Sequence, residues 1–125
     1  MLKTTLAVAA LTLITLAAVA ATTAAPAAPA NGVLATPAGA TLYTFDKDTV
    51  NSGKSACNGP CATNWPPLAA QATDVPSGDW SIVARDDGSK QWAWKGWPLY
   101  TYAKDAKAGD TTGDGKGSVW HLVKG

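Results

Sequence analysis

Three small sets of residues in this chain have the types and spacing that chemistry requires. Cys57 and Cys61 flank Asn58-Gly59-Pro60, and a turn at that spacing brings two thiols within bridging distance. In an oxidising compartment such a pair is most simply a disulfide, closing a ring so small that its chain-entropy gain is only about 2 kcal/mol. The alternative is a soft metal site, because a Cys-x-x-x-Cys pair with a distant His121 is a donor set that suits copper. The second set, Ser52-Gly53-Lys54-Ser55, looks like the close of a phosphate-binding loop. That motif needs a glycine five residues before Gly53; the position is Asp48, whose charge repels phosphate, so no nucleotide is expected. In the third set, Asp105, Asp110 and Asp114 lie among Gly109, Gly113, Gly115 and Gly117. Such a loop can hold calcium, but its spacing is not that of an EF-hand, and Asx-turns in a solvated loop are the better account of it.

Other chemistry fails on simple counts. There is no Glu, a single His and no Gly-x-Ser-x-Gly elbow. Covalent haem needs Cys-x-x-Cys-His, and a blue-copper site needs two histidines. We therefore expect no enzyme. Six tryptophans form the strongest remaining signal. They can supply the core of a small domain, or a surface platform on which a flat ligand or sugar ring stacks. The candidate platform is Trp92, Trp94 and Trp97, with Gln91 as its polar contact.

The elements that carry these residues read as short strands. Leu42-Tyr43-Thr44-Phe45-Asp46-Lys47-Asp48 recurs as Leu99-Tyr100-Thr101-Tyr102-Ala103-Lys104-Asp105, 57 residues later. Each copy runs through a polar, Gly-containing loop to a Trp, Trp65 in the first and Trp120 in the second. Two such copies imply two equivalent units related by a pseudo-twofold. In a strand, Tyr43 and Phe45 face one side and Leu42 and Thr44 the other; Tyr100 and Tyr102 repeat this. Asp48 and Asp105 then fall where each strand ends and can accept N–H bonds in the turn. Further strands are expected at 33–36, 80–85 and 90–94. Lys95-Gly96 makes a two-residue hairpin that pairs Trp94 with Trp97. A helical turn is allowed only at 60–64.

The N-terminal part differs sharply in composition. Residues 1–40 contain one charge, Lys3, and 15 alanines but no aromatic residue. Lys3 followed by the apolar run to Ala20 predicts a signal peptide over 1–20, with Ala28-Pro29-Ala30 as a later cleavage alternative. Residues 21–31 read as a linker of Ala, Pro and Thr. An uncleaved run is the one route to a membrane, and no cysteine near the cleavage region is placed for lipidation. Without Lys3 the chain has nine bases against nine acids. That balance argues against nucleic acid or an anionic membrane surface as the main partner. All nine acids are Asp, a turn former, which argues against a helical bundle.

The doubled Tyr-x-(Phe/Trp/Tyr)-x-x-Asp motif, together with Cys57, Cys61-Ala62, Trp65-Pro66-Pro67-Leu68, Arg85, Asp87-Gly88 and Gln91-Trp92, resembles a family of small bacterial envelope proteins. The family is known as a secreted repeat, or predicted lipoprotein, of unknown function. The likeness implies a bacterial, exported, two-repeat protein and no established activity. The expected fold is a small all-β domain over 32–125, made of short antiparallel strands from repeats at 32–68 and 88–123. The expected role is a periplasmic or secreted, non-catalytic binding or structural module, whose partner is an envelope component or small ligand. The runner-up is a copper-binding or thiol-redox protein using Cys57, Cys61 and His121.

Overall fold

The computed structural model describes residues 25–125; the expected signal segment and the first part of the linker lie outside the described residues. Two hairpins open the two halves. Strands β1 (Ala28–Ala30) and β2 (Val33–Ala35) pair antiparallel around Asn31-Gly32, whose φ values of 53° and 79° suit a two-residue hairpin turn. Residues 28–30, expected as linker, are a strand for that reason, and Ala27 before them is buried. In the second half β5 (Trp80–Ala84) and β6 (Lys90–Trp94) pair across the turn at 86–89. Lys95-Gly96 then returns the chain to β7 (Trp97–Pro98), pairing Trp94 with Trp97. Strand β4 (Ala69–Ala70) lies on the same side of β6 as β7.

The remaining strands interlock the halves. Strand β3 (Tyr43–Phe45) pairs with β8 (Trp120–Leu122), so a strand of the second repeat completes the first. Reciprocally, Pro67 bridges to Tyr100, and the Leu68 N–H donates to the Leu99 carbonyl at 2.9 Å. At the centre Tyr43 and Tyr100 exchange backbone hydrogen bonds of 2.8 and 3.0 Å. Equivalent residues of the two repeats thus face each other, which places the pseudo-twofold between them. The single α-helix among the described residues, α1 (Pro60–Asn64), precedes Trp65; a 3-10 turn (Lys116–Ser118) takes the same position before Trp120. The fold is all-β, from short antiparallel strands in two repeats.

Strand alternation sorts the core into two layers. One face gathers Tyr43, Phe45, Cys57, Trp65, Tyr100, Tyr102 and Trp120; the other gathers Leu34, Leu42, Leu99 and Val123. In the first layer the rings stack as a column in the order Phe45, Trp120, Trp65, Tyr102. Centroid separations are 4.3, 3.8 and 4.1 Å. The two tryptophans are 5° from parallel, and the pseudo-twofold passes between them. Tyr43 and Tyr100 meet this column edge-on.

Candidate functional site

The motif residues meet across the two repeats. The Tyr43 hydroxyl donates to Asp105 Oδ2 at 2.7 Å, and the Tyr100 hydroxyl donates to Asp48 Oδ2 at 2.7 Å. Each tyrosine therefore bonds the aspartate of the other copy. The second carboxylate oxygen holds the turn of its own copy: Asp48 Oδ1 accepts the Ala56 N–H and Asp105 Oδ1 the Thr112 N–H. The turn was expected from the spacing; the cross-repeat bond was not. Burial pushes the Tyr43 and Tyr100 phenols well above their ordinary value, and the partner carboxylates add to the shift. Burial also raises Asp48, against the opposing pull of the Ala56 N–H, the Tyr100 hydroxyl and the Arg85 charge.

Around Asp48 the first of these sites is strongly reinforced. Arg85 is buried at 6% exposure and donates to Ser55 Oγ, Gln91 Oε1, Asn58 Oδ1 and the Cys57 carbonyl, the last at 2.6 Å. Gln91 in turn donates from Nε2 to the Leu99 carbonyl at 2.7 Å. Ser55 Oγ lies 2.6 Å from the Tyr100 hydroxyl. Cys57 and Cys61 form a disulfide with their Cα atoms 5.2 Å apart. The site reading did not foresee the roles of Arg85 and Ser55. The available signal was that Arg85 is the chain's sole arginine, and a planar five-donor fork is what a buried multidentate position needs.

Other expected sites come apart in three dimensions. Trp92 and Gln91 are in the interior, at 3% and 0% exposure, so they present no stacking face. Trp94 and Trp97 are partly exposed, but their neighbour is Trp80, paired with Trp94 on β5. The row across the sheet is Trp80, Trp94, Trp97, with the Lys95 ammonium 4.4 Å over the Trp94 ring. The copper set is also divided. Its thiols are spent in the disulfide, while His121 lies 2.8 Å from Asp46 in a half-exposed pair. Successive side chains of a strand point to opposite faces, so His121 leaves the layer that Trp120 shares with Cys57. In the acidic loop Asp110 accepts the Ala106 and Lys107 N–H groups and Asp114 that of Leu122. Among the described residues no group of three or more His, Cys or Asp is placed to hold a metal. The loop at 52–55 caps itself, with the Lys54 N–H on Ser52 Oγ at 3.2 Å.

Clefts open on both repeats. Two clefts of about 250 and 260 Å³ share Tyr102, Lys104 and Lys116; Asn64 and the edges of Trp65 and Trp120 line the first and Thr112 the second. A larger recess of about 450 Å³ beside β2 is lined by small side chains and has no titratable group. No helix among the described residues is long and apolar enough to cross a membrane.

Fold and site together define a duplicated, disulfide-clasped β domain whose repeats are joined by reciprocal Tyr–Asp bonds. Residues 27–69 and 81–124 each match the family described as a secreted repeat of unknown function, and the chain belongs to it. No curated protein and no solved structure matches.

Proposed function

We propose that this protein is an exported, non-catalytic module of the bacterial envelope that works by presenting a rigid surface. The observation that carries this reading is the pair of cross-repeat Tyr–Asp bonds. The residues that look most like chemistry, two phenols and two carboxylates, are committed to each other and to backbone N–H groups. Phenols held above their ordinary value are proton-locked structural donors, whereas acid–base work calls for values tuned toward the operating pH. No buried side-chain nitrogen or oxygen among the described residues is left without a partner. The signal-like N-terminus, the disulfide and the secreted family support export, to the periplasm or beyond.

Alkaline titration tests this reading, with phenolate absorbance and unfolding followed together. A tyrosine whose folded-state value is raised contributes stability that is complete below its ordinary value of about 10 and is lost as the pH climbs above it. Two phenols should therefore ionise together with alkaline unfolding, and Tyr43→Phe and Tyr100→Phe should each remove one of them. A Tyr43 or Tyr100 phenolate formed below pH 9 in the folded protein would overturn the structural reading of the motif.

A further inference from the structure

Pseudo-symmetry provides an internal control for function: what both repeats share serves the fold, and what one repeat adds needs another explanation. Three polar groups around the paired clefts are such additions. Tyr102 stands where the first repeat has Phe45, so it stacks on Trp65 as Phe45 stacks on Trp120 and adds a hydroxyl the column does not need. Lys116 opens the 3-10 turn whose counterpart α1 opens with Pro60. Thr112 replaces Ala56 at the N–H that reaches the motif aspartate. Lys104 has a counterpart in Lys47, which shares a cleft of about 200 Å³ with Lys54, but only in the second repeat does the lysine pair also meet the aromatic column.

The Thr112 hydroxyl donates to Asp105 Oδ1, whereas Tyr102, Lys104 and Lys116 have no side-chain partner among the described residues. The Tyr102 hydroxyl donates to no protein atom among the described residues, and it reaches solvent, since no buried polar side-chain atom lacks a partner. Lys104 and Lys116 are exposed and outside the one ion pair found there, His121 with Asp46. Asp105 lines the neighbouring cleft with Tyr102, and both its oxygens are engaged, by Tyr43 and Thr112; Asp114 accepts the Leu122 N–H.

We propose that the groove of Tyr102, Lys104 and Lys116 binds the phosphate group of an anionic ligand, a deepening that rests on the reading of the domain as an envelope module that works by presenting a rigid surface. Two ammonium groups balance a dianion, and the phenol supplies an uncharged donor. The rim of Trp65 and Trp120 gives a built-in reporter. The phosphate is either free or esterified on a polyol such as an envelope glycerol-phosphate polymer, and the test separates the two.

The exported chain is titrated at constant ionic strength with inorganic phosphate, glycerol 3-phosphate and acetate, followed by tryptophan fluorescence and ³¹P NMR. Saturable binding of phosphate, weaker binding of acetate, and a loss of about tenfold in Lys104→Ala and in Lys116→Ala are expected. Tyr102→Phe should keep its stack, as Phe45 does, and lose about threefold. Lys47→Ala should bind as the parent does. Tighter binding of glycerol 3-phosphate assigns an esterified ligand, and tighter or equal binding of inorganic phosphate assigns the free ion. A non-saturable response, acetate binding as tightly as phosphate, or an equal loss in Lys47→Ala would overturn the site. Failure here with the expected tyrosine titration removes only the phosphate groove; early phenolate formation removes the structural reading of the motif instead.

Discussion

The two Tyr–Asp pairs are alike in geometry and unlike in surroundings. Both hydrogen bonds are 2.7 Å long, and both aspartates hold a backbone N–H seven or eight residues further on. The Tyr100–Asp48 bond is buried, with Arg85, Gln91 and Ser55 packed around it and the disulfide closing the adjacent loop. The Tyr43–Asp105 bond is only part-buried, with no arginine and no disulfide beside it. Where the first half has Cys57, the second has Gly113, and a Cβ there would come within 2.6 Å of the Trp65 ring. One half is braced and the other is left open over the clefts beside Tyr102. The two repeats share a symmetric frame, and the buried arginine and the disulfide reinforce one of its two Tyr–Asp bonds only.

The largest expected effect tests the symmetric part of this contrast. Trp65→Ala and Trp120→Ala each remove a central ring of the aromatic column, at about 3–5 kcal/mol by chemical denaturation. Nearly equal losses are expected, because the two rings are equivalent about the pseudo-twofold. A difference above about 2 kcal/mol would break the claim that the column is shared equally. Next comes the asymmetric brace. Arg85→Met leaves Gln91 Oε1 and the Cys57 carbonyl without their buried donor, at a cost of about 3 kcal/mol. By the same logic Tyr100→Phe should cost more than Tyr43→Phe, each within about 1–3 kcal/mol, because the partner left behind is more deeply buried. Equal losses in the two phenylalanine variants would mean that the surroundings do not distinguish the sites. The disulfide has a comparably small effect. Reduction of Cys57–Cys61 closes off no long loop and should lower stability by only about 2 kcal/mol, with the fold intact by circular dichroism. Unfolding on reduction would show that the clasp carries much more than its ring size implies.

Much of the local structure was legible in the residues. Lys95-Gly96 announced a hairpin and the pairing of Trp94 with Trp97, because the positive φ values of such a turn are tied to a two-residue loop. The alternation of Leu42-Tyr43-Thr44-Phe45 announced which side chains would share a layer. Pro60 marked the start of the short helix α1. Asn31-Gly32 carried the same kind of hairpin signal as Lys95-Gly96, but the Ala and Pro around it read as linker. The platform reading failed on Trp92 and Gln91 because alternation gives the face of a residue and not what covers that face. Gln91 is covered by Arg85 and bonded to the Leu99 carbonyl, and Trp92 on the opposite face meets the Trp80 ring edge-on at 6.1 Å.

By itself, the sequence determined the duplication, the β character, the turns and the nearness of Cys57 to Cys61, all properties of spacing within a few residues or of one segment compared with another. Only the tertiary structure decided that each motif tyrosine binds the aspartate of the other copy, 52 and 62 residues away, and not the one five residues along its own strand. The reason is that strand pairing is non-local. Once β8 joins β3 and Pro67 joins Tyr100, the end of each motif strand lies against the opposite repeat. The same exchange divided His121 from the cysteines, brought Arg85 to Asp48, and left Tyr102, Lys104 and Lys116 together at the open side.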